Sequence, residues 1–334
     1  MNRFDMNNKA DIFIPTSRSA KILGRCLQSL MVQSEKKFQL IIVGKNTNTS
    51  IEKIIKKCNK KLAIQYILQE KPGLVGAANT ALRYSRSPIF IRIDDDVIVS
   101  KKWLPEILFL FKDTKVGGVT GPTYIQNKDT VGRDSISFYD RLLHPNAMMK
   151  YVSILYNQLL YEGKMFAVGI FLSNGAFSIG SNFKECIPTT KPFEVMNVEG
   201  CNFAVKTSLL KRIGGFDTTF QKGLGEYHEA DIALKIRSEG KIIIFNPKAF
   251  IYHKIQNNLD STRPDAYNRV KNYLIFYKRY FKIKSLSTLI RFILYLGMQN
   301  LYYFYKFLSS RDSSQLGAWL GTIDGLLYSD EKNK

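Results

Sequence analysis

Apolar residues in the first hundred positions follow two alternating rhythms. Asp11-Ile-Phe-Ile-Pro15 and Phe38–Val43 are near-continuous apolar runs, as expected of strands buried on both faces. Between them, Ile22, Leu23, Cys26, Leu27, Leu30 and Met31 recur at steps of one, three and four within Ser19–Ser34, the stripe of an amphipathic helix. The same alternation predicts a helix over Ile51–Cys58, a strand over Leu62–Leu68, a helix over Gly73–Tyr84 entered through a glycine-rich turn, and a strand over Pro88–Ile93. Repeated strand–helix alternation predicts βαβ units and an α/β fold with an open parallel sheet covered on both faces. In such sheets ligands bind beyond the C-terminal strand ends. The strand Pro88–Ile93 runs straight into Asp94-Asp95-Asp96.

The stretch 121–197 is less regular and rich in Tyr, Phe and Met, and reads as loops and helices. The pattern sharpens again at Val198–Val205. A helix over Thr207–Ile213 is stopped by Gly214-Gly215, and a helix over Glu229–Gly240 carries glycine at its C-terminal cap. Strands are expected at Lys241–Phe245 and Ala249–His253, and helix from Asp265 to Leu327.

Composition narrows the class. The 334 residues are 45% hydrophobic and 13% aromatic, which excludes a largely disordered chain. A net charge of +21 points to a polyanionic partner: nucleic acid, an anionic membrane face or phosphorylated substrates. Four scattered cysteines without a CxxC pair indicate free thiols in a reducing cytoplasm, not a disulfide framework or structural zinc. The N-terminal stretch lacks an apolar core, so no secretory signal is expected. The longest uncharged apolar stretch near the C-terminus, Phe292–Tyr305, is 14 residues. A membrane-spanning helix takes about 20.

Three adjacent carboxylates repel one another unless a cation sits among them. In an extended segment residues i and i+2 point the same way. Asp94 and Asp96 are therefore candidate ligands of one hard divalent ion, Mg²⁺ or Mn²⁺. The plainer alternative is a solvated acidic turn capping the next helix.

Here the chain resembles the family 2 glycosyltransferases. The resemblance rests on Ile12-Phe-Ile-Pro-Thr16, on Cys26-Leu-Gln-Ser-Leu with Gln33 beyond, and on Gly73 with Gly76-Ala-Ala-Asn79 leading to Ile91-Arg-Ile-Asp-Asp-Asp-Val97. It continues through Gly200-Cys-Asn202, Gly214-Gly-Phe-Asp217, His228-Glu-Ala-Asp231 with Arg237 beyond, and the late His253, over roughly residues 10–255. It implies a GT-A fold, a nucleotide-diphosphate sugar donor, a divalent metal, and inversion at the anomeric carbon. It also implies a catalytic domain over 1–255, with a nucleotide-sugar half at 10–120 and an acceptor half at 121–255, and a helical extension at 256–334.

By resemblance, Asp94 and Asp96 form the metal and diphosphate element, and Asp95 lies beside the ribose or the sugar. Pro15 and Thr16 line the nucleoside pocket, and Gly73 and Asn79 border the donor. His253 completes the metal site or touches the diphosphate; from the residues alone it reads equally as a hydrogen-bonded structural histidine. The acceptor hydroxyl needs a general base. Aligning Asp231 and the residues after it with the family's helix places Glu229 where the base stands. The residue there is more commonly Asp, so the assignment stays open between Glu229 and Asp231, with Glu226 and His228 as outside candidates. Glu229 and Asp231 are about 200° apart on a helix and cannot both face one substrate. Asp231 also stands four residues before Lys235, as in a surface ion pair. One departure concerns the nucleobase. The family's second strand usually ends in an aspartate that reads it, whereas Val43 is followed by Gly44-Lys-Asn-Thr47.

Seven basic residues and no acidic one stand between Arg269 and Arg291, interleaved with Tyr273, Phe276, Tyr277, Tyr280 and Phe281. This fits a helical surface lying on an anionic membrane leaflet or meeting a lipid-linked acceptor; the alternative is a solvated face packed on the catalytic domain. No nucleic-acid-binding motif accompanies it. The expectation is a cytoplasmic glycosyltransferase, peripheral at the inner face of the membrane, with a glycan or lipid-linked acceptor. The rival reading is a catalytically weak subunit of the same fold that tethers a partner to the membrane.

Overall fold

The computed structural model describes residues 7–17, 19–125, 134–253 and 266–329. Its elements, in chain order, begin with β1 (Ala10–Thr16), α1 (Ala20–Met31), β2 (Phe38–Gly44), α2 (Thr49–Cys58), β3 (Ile64–Leu68), α3 (Gly73–Tyr84), β4 (Ile89–Ile93) and β5 (Val97–Val99). Next come α4 (Trp103–Leu110), β6 (Val116–Thr120), β7 (Thr123–Ile125), α5 (Asp134–Leu143), α6 (Ala147–Tyr161), β8 (Phe193–Val195) and β9 (Asn202–Lys206). The remainder is α7 (Thr207–Arg212), α8 (His228–Ser238), β10 (Ile242–Phe245), β11 (Ile251–His253), α9 (Ala266–Tyr280), α10 (Leu286–Ser310) and α11 (Gly317–Leu327). They form two compact units. One comprises Met1–Lys128, Ser181–Gln221 and His228–Gln256; the other comprises Asp129–Gly180, Lys222–Tyr227 and Asn257–Lys334.

The first unit is built on an eight-stranded sheet in the order β3-β2-β1-β4-β9-β6-β10-β8. The first four strands and the helices between them stand where the hydrophobic rhythm predicts them. Strands β3, β2, β1 and β4 run parallel. The sequence pattern does not foretell that β9 inserts antiparallel between β4 and β6, or that β8 closes the edge antiparallel to β10. A smaller sheet, β5-β11-β7, carries the chain beyond the end of β4.

The sheet is buried on both faces, as the continuous apolar runs require. Ile12 and Ile14 pack with Leu23, Cys26 and Leu27 of α1. Between them along β1, Phe13 meets Phe90, which meets Phe216 in turn, at centroid distances of 5.9 and 6.0 Å. Asp11 is buried at the start of β1. Its carboxylate accepts from Gln39 Nε2 (2.7 Å), Ser85 Oγ (2.6 Å), Ser87 Oγ (2.5 Å) and the amides of Arg86 (2.6 Å) and Ser87 (2.8 Å). One charge thus ties β1, β2 and the α3–β4 connection together at the end of the sheet away from Asp94-Asp95-Asp96.

The second unit is helical in α5, α6, α9, α10 and α11. Leu142, Leu160, Tyr161, Met165, Leu172 and Ala176 form one of its cores. Tyr273 of α9 packs against Phe292 and Tyr295 of α10, with centroids 6.2 and 5.2 Å away. Gly317, Gly321 and Gly325 recur every fourth residue of α11 and lie against Tyr267 and Leu274 of α9. A Cβ on Gly321 would strike the Tyr267 carbonyl, so glycine lets the two helices meet at backbone distance. The other side of α11 leaves Trp319, Leu320, Ile323, Leu326 and Leu327 exposed. Along α10, Leu286, Ile290, Ile293, Leu294, Leu301, Phe304, Tyr305 and Leu308 are exposed at helical spacing. Among the described residues, no helix is long and apolar enough to cross a membrane.

Candidate active site

Strand β4 delivers three carboxylates to three environments. The chain turns at Asp95-Asp96 before entering β5, so Asp94 and Asp96 are not successive same-face positions of an extended segment. Asp95 is buried and accepts from Thr16 Oγ1 at the end of β1 (2.9 Å). The Asp96 side chain, 0% exposed, accepts from Nε2 of His253 at the end of β11 (2.9 Å). Asp94 is partly exposed. The extended-strand argument that pairs Asp94 with Asp96 therefore does not describe this geometry, and Asp96 stands behind the His253 ring.

Asp94, Cys201 and His253 converge instead, with ligand atoms all within 4.8 Å of one another. Cys201 Sγ is 3.9 Å from His253 Nδ1 and 3.9 Å from Thr123 Oγ1. Burial alone would lower the pKa of His253, but the neighbouring Cys201 and Asp96 more than reverse this and hold it well above its ordinary range. The corner favours positive charge. A carboxylate oxygen, an imidazole nitrogen and a sulfur within this span fit a divalent d-block ion.

A second chain of contacts leaves Asp94 in the other direction. Arg92 of β4 is buried, and its Nη2 donates to Asp94 Oδ1 (3.2 Å) while Nη1 donates to His228 Nε2 (2.6 Å). His228 opens α8, and its Nδ1 lies 2.9 Å from Glu229 Oε2. Burial of Glu229 would raise its pKa, but the adjacent His228 and the Arg92 charge override this and hold it at about 2. A Cβ on Gly200 would stand 3.3 Å from Glu229 Oε1, so glycine there leaves room for the carboxylate. Glu199 accepts from the Ser181 hydroxyl and is raised to about 7, first by burial and then by the nearby charge of Glu229. Asp231 is fully buried, with Oδ2 2.7 Å from Lys235 Nζ, and Asp217 lies 3.7 Å from the same ammonium. The expected ion pair of Asp231 is present, in the interior instead of on the surface. Glu226 belongs to the other compact unit.

Sequence reasoning missed Arg92, Glu199 and Cys201. The only signal for Arg92 is a charge inside an apolar strand. Cys201 stands inside the Gly200-Cys-Asn202 motif, but neither it nor Glu199 shows a role in sequence, because their environment is assembled from distant segments.

Of the residues expected to border a donor, Thr16 is committed to Asp95 and Pro15 precedes it on β1. Gly73 opens α3 with φ +86°, and a Cβ there would lie 2.7 Å from the Gln221 carbonyl, so glycine is required. Asn79 uses both ends of its amide on the backbone of Phe216, donating at 2.7 Å and accepting at 3.0 Å. It also borders a cavity of about 530 Å³ lined by Lys71, Arg83, Lys211, Gly214 and Thr218. Where β2 lacks the expected aspartate, the Tyr66 ring fills the space a Gly44 side chain would need, and its hydroxyl donates to the Asn46 carbonyl (3.2 Å). A larger cleft of about 1070 Å³ lies at the opposite end of the sheet, beside Lys9 and Ile89.

A search of curated protein sequences returned no match. Solved structures do resemble the chain. The mannosyltransferase PcManGT from Pyrobaculum calidifontis, in complex with GDP-Man and Mn²⁺, superposes with a TM-score of 0.53 at 15% identity, over 97% of this chain and 76% of that one. Residues 1–349 of S. aureus TarS, in complex with UDP, give 0.52 at 16% identity, over 85% and 70%. GalNAc-T7 with UDP, GalNAc and Mn²⁺ gives 0.56 at 14% identity, over 92% of this chain and 57% of its own. At such identities the likeness is one of fold, and the fold is GT-A. The sequence match is more specific: residues 11–173, just under half of the chain, fit the model of glycosyl transferase family 2.

Proposed function

We propose that the protein transfers a sugar from a nucleotide-diphosphate sugar to a hydroxyl of a glycan or lipid-linked acceptor, with inversion and with a divalent cation. One observation carries the reading: an unbroken path of contacts, Asp94–Arg92–His228–Glu229, joins the cation corner to a half-buried carboxylate that its neighbours hold ionised. The nucleotides and Mn²⁺ named in the related structures support it.

Asp94 and His253 would hold the cation, which supplies positive charge to a leaving diphosphate. Asp96 orients the His253 ring. Thr16 fixes Asp95 at the base of the donor pocket. Arg92 holds Asp94 and His228 in register. Glu229 accepts the hydroxyl proton as the acceptor oxygen bonds to the anomeric carbon and the bond to the diphosphate oxygen breaks. Its geometry favours it over Asp231, whose carboxylate is committed to Lys235. Glu199 is the second carboxylate in this corner, and its value near 7 suits proton transfer. In this reading residues 10–120 bind the donor. The exposed apolar stripes of α10 and α11, flanked by Lys282, Lys284, Lys306 and Arg311, lie on the anionic inner face of the cell membrane.

The test is a thermal-shift screen of nucleoside diphosphates with Mn²⁺ and Mg²⁺, followed by turnover with the corresponding sugar donors. A native-state ligand raises stability. At least one nucleotide should raise the transition only with metal present, and Asp94→Ala should abolish the shift. A chain that binds nucleotide and metal without turnover would be the non-catalytic subunit; a chain that binds neither would sink both readings.

A further inference from the structure

The cation corner contains one group that the acidic motif does not account for. Cys201 stands one residue before β9, the strand that inserts antiparallel beside β4, and this topology brings its sulfur to Asp94 at the end of β4. Its neighbours are the other face of the same corner: Sγ is 3.9 Å from His253 Nδ1 and from Thr123 Oγ1. His253 Nε2 is held by Asp96, so Nδ1 is the ring nitrogen turned to the sulfur. Atoms that share one ion at bond lengths of about 2.0–2.6 Å lie about 3–4.5 Å apart. The spread within 4.8 Å matches that spacing with little rearrangement.

We infer that Cys201 Sγ is a third donor to the divalent cation alongside Asp94 and His253, so that the site takes borderline or soft, sulfur-tolerant ions such as Co²⁺, Zn²⁺ or Cd²⁺ in preference to Mg²⁺. The reason is donor chemistry. Mg²⁺ demands oxygen ligands and near-ideal octahedral geometry, whereas sulfur and imidazole select softer ions. The ring nitrogen and the carboxylate suit many divalent ions, and the sulfur sets the selectivity. The inference rests on reading this corner as a cation site, and it does not require sugar transfer.

The full chain is titrated with Co²⁺ alone, in a reductant that does not bind metal, and followed for the near-ultraviolet sulfur-to-cobalt charge-transfer band. Wild type should develop the band at one equivalent. Cys201→Ser should lose it, and Cys186→Ser, which alters the one half-exposed thiol of the four, should keep it. By calorimetry, Cys201→Ser should weaken Cd²⁺ binding about tenfold or more while changing Mg²⁺ binding less than about twofold. Cys201→Ala, with an unchanged thermal transition, repeats the comparison if the serine variant folds poorly. Cobalt bound without the band, a band that survives in Cys201→Ser, or equal Cd²⁺ affinities would overturn the inference. Absent turnover with an intact band would instead reject the transferase reading and leave this one standing.

Discussion

Arg92 Nη1 lies 2.6 Å from His228 Nε2. A guanidinium only donates, so Nε2 accepts and the ring proton stands on Nδ1, facing Glu229. A buried strand arginine thereby sets the orientation of the carboxylate that we assign to the acceptor. The same guanidinium reaches Asp94 with its other nitrogen. Lysine has no such fork. Arg92→Lys should lower kcat/KM by about tenfold or more while the chain still folds. Arg92→Met should lower stability by about 3–5 kcal/mol, because it strands partners of a buried charge. Steady-state kinetics and thermal melts read the two effects; an Arg92→Lys enzyme with wild-type kcat/KM would remove the arginine from the mechanism.

The pH dependence separates the two carboxylates. Glu229 is held at about 2, below its ordinary 4.5, so its contribution to stability is present above 4.5 and lost as pH falls toward 2. Glu199 is raised from 4.5 to about 7, so it lowers stability as pH rises through that window. A base must be ionised to accept a proton. With Glu229 as the base, kcat stays flat across the neutral range and Glu229→Gln loses rate while keeping donor affinity. A kcat that climbs through about 7, with that limb absent in Glu199→Gln, would move the role to Glu199.

Asp11 marks the opposite end of the sheet. Its carboxylate satisfies five donors on two other segments, β2 and the α3–β4 connection. Asp11→Ala leaves them buried without an acceptor and should cost about 3–5 kcal/mol, read as a lower denaturant midpoint. Co²⁺ affinity of the folded fraction should not change. A coupled loss of metal binding would mean that the two ends of the sheet are not independent.

On α10, Ile293→Glu and Leu301→Glu place charge in an exposed apolar stripe. Both should reduce sedimentation with phosphatidylserine-containing vesicles severalfold without lowering the melting temperature, since neither side chain is in the core. Unchanged vesicle binding would remove α10 from the membrane contact. Gly321→Val tests the other side of the helical unit. It should lower the melting temperature, because the new side chain meets the Tyr267 backbone.

Residues near in sequence were legible from the chain alone. Local periodicity dictates β1 through β4 and the helices between them, since each element buries its own stripe against its neighbours. Three acids after a buried strand mark where a candidate site is expected, at the sheet's C-terminal edge. The aromatics interleaved with the basic residues of 269–291 read as a surface facing a membrane, yet Tyr273, Phe276 and Tyr277 are buried, the two tyrosines against Phe292 of α10, because an aromatic stripe at helical spacing serves equally as a core face. The helices at 134–161 read only as part of an irregular stretch.

What the acids do was decided by tertiary structure. A turn at Asp95-Asp96 sends one carboxylate to Thr16 and the next to His253, leaving Asp94 beside Cys201 and His253. The antiparallel insertion of β9 brings Cys201 to Asp94 from a distant segment; burial raises Glu199 to about 7, while His228 and Arg92 override burial at Glu229 and hold it at about 2. Sequence determines which groups are available and which stripes must be buried. Distances between groups on separate strands, and the charge each can hold when removed from water, follow from how those strands pack.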